Sequence, residues 1–199
     1  MDIGVLGGTF DPVHMGHLKI AEVAMQRLDL DRILFIPAGE PWLKVEKEIT
    51  SSQHRKKMLE LAIKGYPHFS ISTIELERPG ATYTVETLEA LRAGMDSSTG
   101  IFFLMGWDSL QQLPQWKRHS ELIRMCRIVA FTRSGMGPPD LETLEEEIPG
   151  IIRSTIILDM PPVDISSSDI RDRVGKGLSI EHLVPESVEE YIRKNGLYV

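Results

Sequence analysis

The sequence predicts an α/β protein with a doubly wound, mostly parallel sheet. Short apolar runs alternate with helix-length amphipathic runs, which is the order found where helices cover both faces of a sheet. Residues 101–105 are continuously apolar, as expected for a strand at the buried centre of a parallel sheet. The first apolar run leads through a glycine-rich turn into a helix, and open parallel sheets bind ligands at such strand ends.

Six apolar runs supply the predicted strands. The second run stops at Pro37, and the third alternates, with Phe69 and Ile71 on one face and Ser70 and Ser72 on the other. The predicted strands cover residues 3–6, 32–36, 69–76, 101–105, 127–131 and 156–158.

Helical periodicity and capping residues give the predicted helices. Apolar residues recur at helical spacing from residue 18 to residue 28 and form one buried stripe. Ser51 or Ser52 is expected to cap the second helix, and Thr84 the third. The other predicted helices are a short one after residue 108, one near 120–125, an acidic surface helix at 140–147, one after the Ser166 turn and one at 185–194.

Length and composition indicate one globular domain over residues 1–199, in which residues from about 160 to 199 form a C-terminal helical part. The content of 42% hydrophobic and 26% charged residues argues against disorder. The net charge of −7 argues against nucleic acid as a partner. No run approaches the ~20 apolar residues of a membrane span. The single cysteine, Cys126, forms no intramolecular disulfide and is expected to be a buried side chain. We therefore expect a cytoplasmic protein, and the sequence leaves a homo-oligomer open.

A glycine-rich turn with two histidines follows the first predicted strand. This first motif, residues 7–17, reads Gly-Gly-Thr-Phe-Asp-Pro-Val-His-Met-Gly-His. It lacks the Lys-Ser/Thr of a Walker loop and the three spaced glycines of the dinucleotide fingerprint. His14 and His17, three residues apart at the helix start, can face one point above the strand end. Two such donors suit a triphosphate and the charge that develops during phosphoryl transfer. The alternative is a structural turn whose histidines only cap the helix.

A serine-rich turn with an arginine forms the second motif, residues 165–171. Ser166 and Asp169 have the spacing of a capping box, with Asp in place of the usual Glu or Gln. The turn also offers hydroxyl and N–H groups to a phosphate, and the planar fork of Arg171 can hold two phosphate oxygens. Taken alone, such a serine run is more often only a helix cap.

The two motifs carry a family resemblance. The first resembles the GxFDPxHxGH signature of the nucleotidyltransferase superfamily, and the second resembles its ISSSxIR motif. Shorter segments resemble bacterial nicotinate-nucleotide adenylyltransferases, namely Arg78-x-Gly-x-Thr82-Tyr83-Thr84, Gly106-x-Asp108 and Leu113-Pro114-x-Trp116. The resemblance implies a Rossmann-like nucleotidyltransferase fold with C-terminal helices. It also implies transfer of the AMP part of ATP to nicotinate mononucleotide, which releases pyrophosphate and forms deamido-NAD.

The resemblance implies roles for individual residues. His14, His17 and Arg171 would be catalytic, with Mg²⁺ arriving together with ATP and no dedicated metal-ligand cage in the sequence. The implied ATP-binding residues are Gly7, Gly8, Thr9, Phe10, Lys44, Gly106, Asp108, Ile165, Ser166, Ser167 and Ser168. The implied nicotinate mononucleotide-binding residues are Arg78, Thr82, Tyr83, Thr84 and Trp116.

Asp108 and Trp116 each have a simpler alternative role, and the segment around Lys44 departs from the family pattern. Asp108 either accepts hydrogen bonds from the ribose or caps the next helix, and both can hold. Trp116 either stacks on the pyridine ring or packs in the core. The family usually carries Pro-Pro-His-Lys after the second strand, whereas this chain has Pro41-Trp42-Leu43-Lys44. The lysine is therefore retained and the histidine is replaced.

Other functions share parts of the pattern. Phosphopantetheine adenylyltransferases share the first motif, but the resemblance implies shorter chains for them, and His14 at its position in the motif together with the Trp116 segment favours the pyridine nucleotide enzyme. A nicotinamide mononucleotide adenylyltransferase would differ in preferring a neutral amide, which the positive helix end at Thr84 disfavours. A nucleotide-binding sensor without turnover would not need His14, His17 and Arg171 together.

Overall fold

The computed structural model describes residues 1–41, 49–132, 140–160 and 165–199. The strands are β1 (Asp2–Gly8), β2 (Arg32–Pro37), β3 (Glu40–Pro41), β4 (Phe69–Ile71), β5 (Ala81–Thr82), β6 (Gly100–Gly106), β7 (Arg127–Phe131) and β8 (Thr155–Leu158). The helices are α1 (Met15–Leu28), α2 (Ser52–Ile63), α3 (Thr84–Ala93), α4 (Trp107–Gln111), α5 (His119–Met125), α6 (Leu141–Glu147), α7 (Ile151–Ser154), α8 (Ser167–Gly175) and α9 (Glu186–Lys194), with a 3₁₀ turn at Leu113–Gln115.

Six strands form one parallel sheet in the order β4-β2-β1-β6-β7-β8, and β3 pairs with β5 separately. The chain moves outward from β1 to β2 and β4, and then returns to β6 and moves outward on the other side. The order therefore reverses between β1 and β6, where Leu6 lies opposite Leu104. A ligand of an open parallel sheet binds outside the carboxyl ends of the strands at this point.

Helices cover both faces of the sheet, which confirms the doubly wound prediction. Leu6 and Phe35 point into a buried cluster with residues of α1, α2, α8 and α9. Val5 and Phe103 point into a second cluster on the opposite face, with residues of α3 to α6. Burial on both sides explains why the central strands read as continuous apolar runs.

The third predicted strand is wrong beyond Ile71. Residues 74–77 form a turn instead, in which the N–H of Glu77 donates to the carbonyl oxygen of Thr73 at 3.0 Å. In the observed register Ile71 lies opposite Phe35, so continued pairing would place Thr73 opposite Pro37. Proline has no N–H to donate, and β4 has no other neighbour in the described sheet, so the ladder stops.

Two of the predicted helix caps are confirmed and two are wrong. Ser51 caps α2 and Ser166 caps α8, each accepting a hydrogen bond from the N–H three residues later. Thr84 is not the cap of α3, because Tyr83 is the extended cap residue and Thr84 is already helical. Asp108 is not a cap either, since α4 begins at Trp107.

The surroundings of Cys126 and the length of the helices bear on two expectations drawn from the composition. Cys126 is buried, and burial raises the pKa of its thiol to about 12, so the thiol stays protonated and unreactive. None of the helices formed by the described residues is both long enough and apolar enough to cross a bilayer.

Candidate active site

The carboxyl end of β1 leads into the first motif. Gly7 and Gly8 are the last two residues of the strand rather than part of the turn. A Cβ on Gly8 would lie 3.1 Å from the ring of Phe10, closer than ordinary van der Waals contact, so glycine lets this ring pack closely against the strand. Phe10 itself has a φ of 51° and is buried. Its ring meets the edge of the His17 imidazole, with 4.9 Å between ring centroids. The turn is therefore held by packing beneath the two histidines.

His14 and His17 stack at the start of α1. Their ring centroids are 3.7 Å apart and their planes meet at 28°. His14 is the cap residue of the helix, and its main-chain N–H donates to Nδ1 of His17 at 3.3 Å. Nδ1 of His17 must then be unprotonated, which places the proton of the neutral ring on Nε2. His17 thus caps the helix with one nitrogen and keeps a donor on the other.

The second motif lies directly against the first. The hydroxyl of Ser167 donates to the carbonyl oxygen of Pro12 at 2.9 Å. Nη1 of Arg171 donates to the carbonyl oxygen of Asp11 at 2.7 Å, and Nη2 donates to Oγ of Ser168 at 3.3 Å. Two segments separated by about 150 residues of sequence therefore form one wall, with the guanidinium of Arg171 beside the turn that carries the histidines.

The serine hydroxyls are engaged within the protein. Oγ of Ser166 accepts from the N–H of Asp169 at 3.1 Å and donates to its carboxylate at 2.6 Å. Ser167 uses its single hydroxyl proton on Pro12. A phosphate accepts but does not donate when fully ionised, so these two serines can offer it mainly main-chain N–H groups at the helix N-terminus. Ile165, which precedes them, packs half-buried against the core.

The end of β6 lies next to the end of β1. Gly106 is the cap residue of α4, and a Cβ there would meet nothing within 4 Å, so the strand end borders open space. Asp108 lies half-buried in the first turn of α4, where a carboxylate is favoured by the helix dipole.

The segment proposed to bind the mononucleotide gathers around the N-terminus of α3. Thr84 begins the helix, and Thr82 is buried in β5. Nζ of Lys117 lies 4.1 Å from the centroid of the Tyr83 ring and 2.7 Å from the carboxylate of Glu86. Nη1 of Arg78 approaches the same carboxylate at 3.7 Å. The hydrogen bond from Lys117, followed by the charges of Lys117 and Arg78, lowers the pKa of Glu86.

Trp116 is half-buried beside this helix end. Its ring meets Phe103 edge to face, with centroids 6.1 Å apart, so one side of the indole contributes to the core. Nε1 of Trp116 is buried and has no hydrogen-bond partner among the residues that the structure describes. Both competing interpretations of Trp116 therefore have a structural basis.

The sequence analysis gave no role to one side chain within the first motif, Asp11, or to two side chains beside the motif, Arg55 and Tyr198. Asp11 and Arg55 are 4% and 2% exposed, and Tyr198 follows α9. Tyr198 donates to the Asp11 carboxylate at 2.6 Å, and Nη1 of Arg55 donates to the carbonyl oxygen of Thr9 at 2.8 Å. Arg55 shares the helical spacing of the buried residues Met58, Leu59 and Ala62, which is a sequence signal for a buried arginine. No local pattern marks Tyr198.

Some sequence predictions fall outside the described ranges. Lys44 belongs to residues 42–48. Arg133 belongs to residues 133–139, and its place in the glycine-containing loop after the fifth predicted strand makes it a further phosphate candidate from the sequence. Among the described residues there is no group of three or more His, Cys, Asp or Glu side chains that could hold a metal ion.

Comparisons with known proteins identify relatives of this chain by sequence and by fold. A family model described as cytidylyltransferase-like matches residues 5–173. A Dehalococcoides mccartyi protein named "Probable nicotinate-nucleotide adenylyltransferase" is 47% identical over 195 residues, covering 98% of this chain and 96% of its own length. A Thermomicrobium roseum protein of the same name is 43% identical, covering 98% of this chain and 91% of its own length. The solved nicotinic acid mononucleotide adenylyltransferase of Plasmodium falciparum, complexed with NaAD, shares the fold with a TM-score of 0.79 at 20% identity, covering 99% of this chain and 97% of its own.

Proposed function

This chain belongs to the nicotinate-nucleotide adenylyltransferase family, and on that premise we propose that it transfers the AMP part of ATP to nicotinate mononucleotide. The products are deamido-NAD and pyrophosphate. One observation carries the proposal beyond similarity. The hydrogen bonds from Ser167 to Pro12 and from Arg171 to Asp11 bring both phosphate-binding motifs to the carboxyl end of β1. A single phosphate ligand can then contact the stacked histidine rings, the guanidinium of Arg171 and the N-terminus of α8.

The reaction needs positioning more than proton transfer. The 5′-phosphate of the mononucleotide is already an anion at neutral pH, so it attacks the α-phosphorus of ATP without a general base. The new bond joins the two phosphates, the bond between the α- and β-phosphates breaks, and the electron pair leaves with pyrophosphate. The protein lowers the barrier by aligning two anions and neutralising the charge that develops.

His17 faces the α-phosphate in this proposal. Its tautomer supports the role, because the Nδ1 bond to the His14 main chain leaves Nε2–H as a donor. His14 stacks on it and supports the same phosphate group. A ring that is held on one nitrogen and packed against Phe10 loses little freedom on binding, which is the condition for preorganised stabilisation.

Arg171 holds the departing β- and γ-phosphates, together with the main-chain N–H groups at the start of α8. The guanidinium is already oriented by Asp11 and Ser168, so it keeps its plane when the ligand arrives. The adenosine lies against Gly7, Gly8, Thr9 and Phe10, and the Asp108 carboxylate accepts hydrogen bonds from the ribose hydroxyls. Lys44 contributes a further charge to the phosphates.

Mg²⁺ enters as part of the MgATP substrate. Magnesium prefers phosphate oxygens and water to an all-protein cage.

The nicotinate carboxylate binds at the N-terminus of α3, with Arg78, Thr82, Tyr83 and Thr84 around it and Trp116 beside the pyridine ring. The first N–H groups of a helix carry a partial positive charge and have no partners within the helix. Lys117 and Arg78 reduce the effect of Glu86, whose negative charge would otherwise oppose an anionic substrate.

The test is a pyrophosphate-release assay with ATP and each of three acceptors: nicotinate mononucleotide, nicotinamide mononucleotide and phosphopantetheine. We expect nicotinate mononucleotide to be preferred over the amide by at least about tenfold in kcat/KM, which corresponds to about 1.4 kcal/mol. Equal values for the two mononucleotides would favour the amide-using function, and turnover with phosphopantetheine alone would replace the proposal. Binding of ATP with no turnover of any acceptor would indicate a sensor.

A further inference from the structure

We propose that Tyr198 is a positioning residue for ATP binding, which acts by fixing Asp11 and through it the phosphate-binding turn. Tyr198 and Asp11 are separated by 187 residues, yet the phenol oxygen lies 2.6 Å from the carboxylate. The inference deepens the proposed function, since it concerns the same ATP site.

The carboxylate of Asp11 is committed to the protein. One oxygen accepts the Tyr198 hydroxyl, and the other accepts the main-chain N–H of Thr50 at 3.1 Å. The side chain is 4% exposed. A carboxylate buried in this way, with both oxygens engaged, is placed to hold the chain rather than to bind a ligand.

Arg55 holds the same turn and the Thr50 segment together through two further hydrogen bonds. Its Nη1 bonds the carbonyl oxygen of Thr9 and its Nε bonds the carbonyl oxygen of Thr50 at 2.9 Å. Burial lowers the pKa of this guanidinium, and the nearby charge of Asp11 opposes that effect. The buried charge therefore depends on Asp11 for compensation.

The hydroxyl of Tyr198 remains a donor over the whole working pH range. Burial raises the pKa of the phenol, and the hydrogen bond to Asp11 raises it further. The bond to a charged acceptor is of the stronger kind, because one partner is ionised.

The fixed turn presents two groups to the site. The main-chain carbonyl of Asp11 orients Arg171, and three residues further on the chain reaches His14. Releasing the Asp11 side chain would therefore loosen the guanidinium that holds the β- and γ-phosphates. Contacts to the mononucleotide at α3 do not pass through Asp11, so they should be unaffected.

The experiment compares Tyr198→Phe with Tyr191→Phe in the full chain. Tyr191 is a matched control, because its hydroxyl also bonds a side chain distant in sequence, Nδ1 of His54 on α2 at 2.9 Å, and makes no contact with the first motif among those of the described residues. Titration calorimetry with a non-hydrolysable ATP analogue gives Kd, steady-state kinetics gives KM for each substrate, and scanning calorimetry gives Tm.

We expect Tyr198→Phe to weaken analogue binding by about fivefold to tenfold, which is less than the full loss of a hydrogen bond to a charged group, because Tyr198 acts on the ligand only through the turn and the bond from Thr50 to Asp11 remains. The KM for ATP should rise in parallel while the KM for the mononucleotide stays unchanged, and Tyr191→Phe should leave both constants unchanged. Unaltered analogue binding in Tyr198→Phe would overturn the inference, as would equal weakening of both substrates or the same effect in Tyr191→Phe. The analogue titration does not depend on which acceptor is used, so a wild-type protein inactive on nicotinate mononucleotide would refute the proposed function alone.

Discussion

The two sides of the proposed cleft are held by different interactions. On the ATP side, partly buried hydrogen bonds connect Asp11 to Tyr198, to Thr50 and, through its carbonyl, to Arg171. On the acceptor side, exposed charges gather at the start of α3, where Lys117 and Glu86 have side chains 44% and 32% exposed. Buried hydrogen bonds to charged groups are worth about 1.5–3 kcal/mol, and exposed ion pairs about 0–1 kcal/mol.

Because the interactions differ, the ATP side should control turnover and the acceptor side should control the preference among substrates. A wall whose groups are already held by hydrogen bonds suits the step in which charge moves, because its dipoles need no rearrangement in the transition state. An exposed charge cluster instead adjusts the preference among substrates by small amounts and is weakened by salt. Changes on the ATP side should therefore reduce turnover strongly, whereas changes on the acceptor side should alter selectivity weakly.

The largest effect is expected for His17→Ala. Removing one preorganised donor to developing charge typically lowers turnover by roughly 10²–10³-fold. We expect that loss in kcat with the circular dichroism spectrum retained. His182→Ala is the control, because the His182 side chain is 88% exposed and pairs only with Glu181 among the described contacts. Near-normal kcat in folded His17→Ala would remove this residue from the mechanism.

Arg171→Lys should come second. Lysine has no planar fork, so it cannot reach the Asp11 carbonyl and the Ser168 hydroxyl together and still hold two phosphate oxygens. We expect kcat/KM for ATP to fall by at least about tenfold, equivalent to about 1.4 kcal/mol. Arg173→Lys on the same helix is the matched control, since Arg173 bonds the carbonyl of Ser179 away from the first motif. Equal kinetics in the two variants would show that a point charge suffices at position 171.

Trp116→Ala addresses the acceptor side. Stacking on an aromatic face is worth about 0.5–1.5 kcal/mol and does not distinguish an acid from an amide. The KM for both mononucleotides should therefore rise by about twofold to tenfold, with their ratio unchanged. Competition between the two substrates in one reaction measures that ratio directly. An unchanged KM for both would assign Trp116 to the core, where it already meets Phe103.

The sequence predicted the sheet because burial on both faces leaves a strong apolar signal. It also located both motifs, since glycines, histidines and serines at fixed spacing are local features. The error at residues 72–76 has a nonlocal cause, because the strand stops where its neighbour reaches Pro37. An alternating segment cannot reveal which residue of another strand will lie opposite to it.

The supporting network of the ATP site was not predictable for the same reason. Arg55 could have been suspected from its place on the apolar face of α2. Tyr198 could not, because its partner Asp11 lies 187 residues away and no periodicity relates them. The sequence likewise placed Thr84 near the ring site, but it did not show that Lys117 and Arg78 converge on Glu86.

The smallest effect is expected for Lys117→Gln. This variant tests most directly whether exposed charges on the acceptor side of the cleft adjust substrate preference. The substitution removes the charge that bonds Glu86 and lies over the Tyr83 ring, so the Glu86 carboxylate faces the helix end with only the weaker effects of Arg78 and Arg118 to offset it. An exposed charge near a helix terminus is worth about 0.3–1 kcal/mol, so the acid-to-amide ratio of kcat/KM should fall by about twofold to fivefold. The loss should come from the acid, because the neutral amide does not sense the added negative charge.

Raising the salt concentration to about 1 M shortens the screening length to about 3 Å and should reduce the difference between variant and wild type. Lys57→Gln, which removes an exposed pair with Glu60 on α2, controls for net charge. A ratio unchanged in Lys117→Gln, or lowered equally in Lys57→Gln, would mean that selectivity for the acid depends on the N–H groups of the Thr84 turn and not on the surrounding charges.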